Sequence, residues 1–265
     1  SSISSRGFSV GAKKQTISFS CELKGPNDAA LPGNATYLSA LLQACGLVEA
    51  AGTIGADNCK SYTPTSLQSA MKSATIYYYM DGIKHAIVGA RGNATIELSV
   101  TGVPKINFNF TGFYVAPTDA ATPAMPGTIP DYEAPACVNI GLTLGAYTPT
   151  GIEKLTLDIG NKLAEKKDLN SATGLTSILI TEREAKLSLD CDVDSLANFN
   201  PYSIWSAGTT VAFATTIGAK GNRINLTGPK IRMDEPTKGD KDGRAVWNLS
   251  YTMVGTDDEF VLKTG

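Results

Sequence analysis

The chain carries one strand plan twice, and a duplicated β plan restricts it to sheet architectures that repeat. In the first half an alternating stretch, residues 15–25 (QTISFSCELKG), precedes a helical stretch at 35–49. A strand at 74–82, the segment 92–100 (GNATIELSV) and a closing strand at 106–115 follow. In the second half residues 185–193 (AKLSLDCDV) precede a short helical stretch near 196–206. Strands at 209–218, 221–230 (GNRINLTGPK) and 245–255 complete it. The order is the same, a Gly-Asn pair opens corresponding segments, and both closing strands alternate aromatic with polar residues. Duplication of this kind predicts pseudo-symmetry, and pseudo-symmetry predicts assembly.

A chain of 265 residues fits one large domain or two small ones. Its 23 basic and 25 acidic side chains argue against a dedicated nucleic-acid binder, which would show a basic stripe. Abundant Gly, Ser and Thr with few long helical runs predict a mainly β protein. No apolar run approaches the ~20 residues of a membrane-spanning helix. The opening SSISSRGFSV lacks the basic start and apolar centre of a secretory signal. Cys21, Cys45, Cys59, Cys137 and Cys191 are odd in number and lack metal-ligand spacing. Cys21 and Cys191 sit in corresponding strands and read as small buried residues. Cys45 and Cys59 could close a loop, but the reading preferred here is free thiols made in a reducing cytoplasm.

Residues 1–14 read as an extended polar arm. Pro32-Gly33-Asn34 opens the first helix, with Asn34 as its N-cap. Tyr37, Leu38, Leu41, Leu42, Cys45 and Val48 recur at helical spacing, and Gly52 and Gly55 end the run. Residues 53–73 read as loop. Asp81-Gly82 reads as a hairpin turn, and Pro104 lies between strands, where its missing N–H costs no ladder bond. The proline-rich stretch 116–136 reads as a linker between two units, 1–135 and 136–265. Residues 138–145 and 151–163 look like a hairpin around 146–150. Leu155, Leu157 and Ile159 then face one side; Lys154, Thr156 and Asp158 face the other. Residues 162–170 read as a charged loop before a strand at 176–183. The first half has only a short counterpart to this opening, so the repeat is incomplete.

No catalytic constellation emerges. His85 is the one histidine, and neither a Ser-His-Asp nor a Cys-His arrangement assembles around it. A zinc site has too few ligands. Asp190-Cys191-Asp192-Val193-Asp194 resembles the start of a calcium loop, but Ser195 stands at the sixth position and Pro201 at the twelfth. A strand with one acidic face fits better. Residues 234–243 (DEPTKGDKDG) fit no phosphate loop. They read equally as a solvated hairpin loop or as an inter-subunit contact. The Asn-x-Ser/Thr sequons read as strand alternation rather than glycan acceptors. Tyr77, Tyr78 and Tyr79 place aromatic area on both faces of one strand; one face would pack the core and the other a neighbouring subunit.

With those residues in view, residues 74–120 and 221–262 resemble major tail proteins of long-tailed, non-contractile bacteriophages, the siphophage type. GVPKINFNFTGFYVAP and GDKDG carry most of the likeness, with IEKLTLDIGNKL and ILITERE at the opening of the second half. The resemblance implies two β-sandwich tail-tube domains, each with a flanking helix, whose sheets join between subunits into a β-barrel tube. Stacked rings would form a conduit for genome ejection, and the repeat favours trimeric rings of two-domain chains over hexamers. Implied partners are further copies, the tape measure, terminator and distal tail proteins, and double-stranded DNA passing transiently. The implied location is the virion, assembled in the host cytoplasm; no enzyme activity, cofactor or metal is implied.

A conduit should not hold phosphate, so a neutral or acidic lumen is expected. Candidate lumen-facing residues are Lys154, Thr156, Asp158, Thr95, Glu97 and Ser99. Candidate contacts between subunits or rings are Ser1, Arg6, Phe8, Asp234, Glu235, Lys238, Asp240, Asp242 and Phe260. The alternative from another class is a receptor- or carbohydrate-binding β-sandwich with Tyr77–Tyr79, Trp205 and Trp247 lining a sugar site.

Overall fold

The computed structural model describes residues 11–124 and 132–265. Its first half contains β1 (Lys14–Glu22), α1 (Ser39–Ala44), β2 (Leu47–Ile54), β3 (Asp57–Pro64), β4 (Ala74–Met80), β5 (Ile83–Ser99), β6 (Lys105–Tyr114) and β7 (Thr118–Asp119). The second half opens with β8 (Thr143–Leu144), β9 (Lys154–Asp158), β10 (Asn161–Lys167), β11 (Leu175–Arg183) and β12 (Lys186–Asp192). It continues with α2 (Pro201–Ser206), β13 (Thr210–Ile217), β14 (Ile224–Met233), β15 (Thr237–Lys241), β16 (Arg244–Met253) and β17 (Val261–Thr264). The protein is mainly β. One large sheet runs β1-β6-β5-β9-β12-β16-β14-β17-β3-β2 without closing on itself, and β10 pairs β11 separately.

Period-two patterning explains these strands. In β6, Ile106, Phe108 and Phe110 are buried while Asn107 and Asn109 face outward. In β12, Leu187, Leu189 and Cys191 are buried and Lys186, Ser188 and Asp190 are not. The same antiparallel pairings recur in both halves. β1 pairs β6, β6 pairs β5 and β5 pairs β4; β12 pairs β16, β16 pairs β14 and β14 pairs β13. Cys21 lies opposite Ile106 in the first set, and Cys191 lies opposite Trp247 in the second.

The Gly-Asn correspondence does not hold. Gly92 and Asn93 lie inside β5, whereas Gly221 and Asn222 precede β14. β5 is matched by β14 and β15 together. β5 runs along β6 until Glu97 faces Lys105; β14 and then β15 run along β16 until Lys241 faces Arg244.

Other expectations are corrected. The helix expected over 35–49 is six residues long, because Gly46 leaves it at φ +78 and residues from Leu47 onward pair with β3. Asn34 does not cap it; Leu38 occupies the N-cap position without a side-chain bond. The loop expected over 53–73 contains β3, whose Ser61 faces Lys263 of β17. The hairpin expected between 138–145 and 151–163 is absent. β8 pairs β13, while β9 lies between β5 and β12. A strand whose Leu155 and Leu157 are fully buried belongs inside a sheet rather than in an isolated hairpin. The charged run 162–170 holds β10, because a ribbon with a solvated face accepts alternating charge; Lys162 and Glu182 face each other across it.

The two halves interleave. The β2–β3 hairpin extends the sheet through β17, and one apolar cluster runs from Leu23 through Phe108 and Leu157 to Leu262. In the proline-rich stretch, β7 pairs β5, Lys24 Nζ donates to the Tyr132 carbonyl at 2.5 Å, and Asn222 donates to the Glu133 carbonyl at 2.9 Å. All five cysteines are free thiols, and burial pushes the Cys191 thiol up to about 12.

Candidate assembly surfaces

β9 is the element on which the candidate surface depends. It pairs β5 on one side (Thr95 facing Asp158, Glu97 facing Thr156, Ser99 facing Lys154) and β12 on the other (Asp158 facing Lys186, Thr156 facing Ser188). The repeated strand sets thereby become one sheet. Its inner row is apolar and buried: Ile106, Ile96, Leu157, Leu187 and Tyr251 lie in register. Its outer rows are polar. One runs Ser20, Asn107, Thr95, Asp158, Lys186, Thr252 and the next Glu22, Lys105, Glu97, Thr156, Ser188, Ser250. The structure therefore brings Lys154, Thr156, Asp158, Thr95, Glu97 and Ser99 together on one polar face.

Several cations on this face are held by carboxylates, whereas exposed Lys105 makes no ion pair among the described residues. Lys154 lies 3.5 Å from Glu97; Lys241 reaches Asp190 and, at 2.9 Å, Glu153; Arg244 reaches Glu153 at 3.1 Å and Asp192 at 3.2 Å. Burial works against the Asp190 charge, yet hydrogen bonds from Lys241 and from the Lys154 N–H outweigh it and hold the carboxyl below its ordinary range. Chemically the face offers hydroxyls, amides and largely neutralised charge, and the described residues form no continuous basic track for a phosphate backbone.

Sequence reading missed the residues that set the β9 joint. Asn93 Nδ2 donates to Asp158 at 2.7 Å, while Asn93 Oδ1 accepts the Asn161 N–H at 3.0 Å. Asn161 Nδ2, buried, donates to the carbonyls of Cys45 at 2.7 Å and Gly92 at 3.0 Å. Gly160 turns the chain from β9 into β10 at φ +71. The Gly-Asn pair after an alternating strand was the available signal, and it was read only as strand continuation.

The second set of candidates divides. Ser1, Arg6 and Phe8 lie outside the described residues. Phe260 is fully buried in this chain's own core, which removes it as a contact with a neighbour. Asp234 accepts from Ser250 at 3.2 Å and Thr252 at 3.3 Å within the chain. Glu235, Lys238, Asp240 and Asp242 are exposed on or beside β15, with Lys238 Nζ 4.9 Å from the Trp247 ring centroid. The segment 234–243 is thus a folded strand and turn, with Asp242 at φ +52 in the turn.

Among the described residues β15 pairs only β16 and β1 only β6, so each presents an edge without a strand partner among them. Beside β1 lies a groove of about 610 Å³ lined by Ile17, Phe19, Ile76, Tyr77, Tyr78 and Met80 among others. Tyr77 and Tyr78 are successive residues of a regular strand pairing and both about half exposed, so neither face of this hairpin packs fully into the core as one was expected to. Trp247 is fully buried and contacts Tyr202 edge-on at 5.3 Å, so it cannot line a sugar site with Trp205 and the tyrosines.

Comparison with curated proteins returned no match. A family profile described as phage tail tube protein matches residues 5–253. That span covers nearly the whole chain, including both strand sets and the β9 joint, and the family is one of structural virion components. The chain belongs to the phage tail tube protein family.

Proposed function

We propose that this chain is the ring-forming subunit of a siphophage-type tail tube, with two similar units per chain, bounded near residues 135 and 136, and three chains per ring. The polar face of β1, β6, β5, β9, β12 and β16 lines the channel through which the genome leaves. The observation that carries this reading is the β5–β9–β12 joint. It fuses two repeated strand sets into one sheet with a continuous polar side and a continuous apolar side. Heterologous repetition of such a joint closes a ring when the rotation divides a full turn. Side chains there are mostly Ser, Thr and Asn, and carboxylates pair with most of the lysines and arginines, which weakens retention of phosphate through counterion release. The tube would be assembled in the host cytoplasm, around a tape measure protein and between distal tail and terminator proteins.

Negative-stain microscopy of the purified protein tests this. Stacked rings with a central channel are the expected result. A preparation that stays monomeric at high concentration and with a tail initiator present would refute it.

A further inference from the structure

The chain holds one finished joint and the two halves of an unfinished one. In the finished joint, the outer edge of β5 at Thr95–Ser99 and the outer edge of β12 both pair with β9. The equivalents of those edges have no strand partner among the described residues. Thr95 faces Asn107 of β6, and Thr237 faces Asn248 of β16 in the same role, so β15 corresponds to the end of β5. Ser20 faces Asn107 as Asp190 faces Asn248, so β1 corresponds to β12.

Burial records the missing partner. On β12, Leu187 and Cys191 are 0% exposed. Their equivalents on β1, Ile17 and Cys21, are only partly buried, as is Phe19 between them. The surplus exposure opens into the groove beneath Tyr77, Tyr78 and Met80.

We propose that a second copy of this chain docks its β15 edge along β1 and this groove, with Thr237 of one copy level with Thr16 of the next. The two strands run parallel there, as β5 and β12 do on either side of β9. This placement rests on the tube-subunit reading and goes beyond it by naming the edges and their register.

The test is a Thr16→Cys, Thr237→Cys double variant in a Cys21→Ser background, assembled and then either oxidised or treated with a bismaleimide spanning about 10 Å. Directly paired strands lie about 4.8 Å apart and yield disulfides; an intervening strand like β9 doubles that spacing and yields only bismaleimide links. Either product, as covalent dimers and closed trimers absent from both single variants, supports the joint. Rings visible by microscopy but giving no link by either route overturn the joint while leaving the tube reading intact. A double variant and parent that both remain monomeric remove the tube reading and the joint with it.

Discussion

Gly160 stands where β9 leaves the sheet for the β10–β11 ribbon, and its environment admits no side chain. A Cβ there would meet the Glu184 carbonyl oxygen at 2.0 Å, and the residue sits at φ +71. Left-handed backbone alone costs a non-glycine residue about 1–2 kcal/mol, and the backbone clash adds to it. Gly160→Ala should therefore lower stability by roughly 3 kcal/mol or more, read from the urea midpoint. Gly55→Ala is the matching control. It has φ +63 but nothing within 4 Å of the added Cβ, so it should lose only about 1 kcal/mol. Asn161→Ala removes the donor that satisfies the Cys45 and Gly92 carbonyls in the interior. Leaving them unpaired should cost about 1–3 kcal/mol by the same measurement, whereas a loss below about 0.5 kcal/mol would contradict the assigned role. None of these roles was legible in the sequence, because each depends on which carbonyl lies across a sheet or ribbon, and residue type does not reveal that.

Strands were more legible than their neighbours. Alternation exposed β1, β6, β12, β13 and β16 directly, since one face of each is more apolar than the other, and β-favouring tyrosines exposed β4. β2 and β3 were hidden because LVEAAGTI and DNCKSYTP lack that contrast, and their strand state comes from pairing with each other and with β17. β10 was hidden by its lysines. β15 was hidden by charges of both signs, whose side chains tie it to neighbours: Lys241 binds Asp190 of β12 and Glu153, the residue before β9. That tie has a pH signature. The Asp190 carboxyl titrates below its unfolded value, so its contribution is fully present above about pH 4 and is lost as pH falls through the folded value. Asp190→Asn should cost about 1 kcal/mol at pH 7, and the gap between variant and parent should narrow as pH falls below about 4 and vanish once it has passed the folded value. A gap that stays constant across that range would show that the ion pair contributes nothing.

At the scale of the molecule, the duplicated plan was visible as an order of strands, and the same pairings recur in the fold. The exact correspondence was not visible, because Gly-Asn pairs at unrelated positions offered a false anchor and β5 is matched by two strands with a break between Met233 and Thr237. Nor was the interleaving of the halves, since β9 and the β2–β3 hairpin reach across sequence distances that no local pattern records. The six candidate lumen residues were named from two separate stretches, and their meeting in register across β5 and β9 supports treating them as one surface. Replacing Thr95, Thr156 and Ser188 together with lysine should leave folding intact, because these side chains point away from the core. It should also slow DNA release from assembled particles, followed by dye uptake after triggering. Unchanged release would place the channel on another face. The central claim, two units per chain closing a ring of three chains, is tested most directly by native mass spectrometry of isolated rings. Three chains per ring, with six lobes in end-on averages, is the expected result; six chains per ring would contradict it.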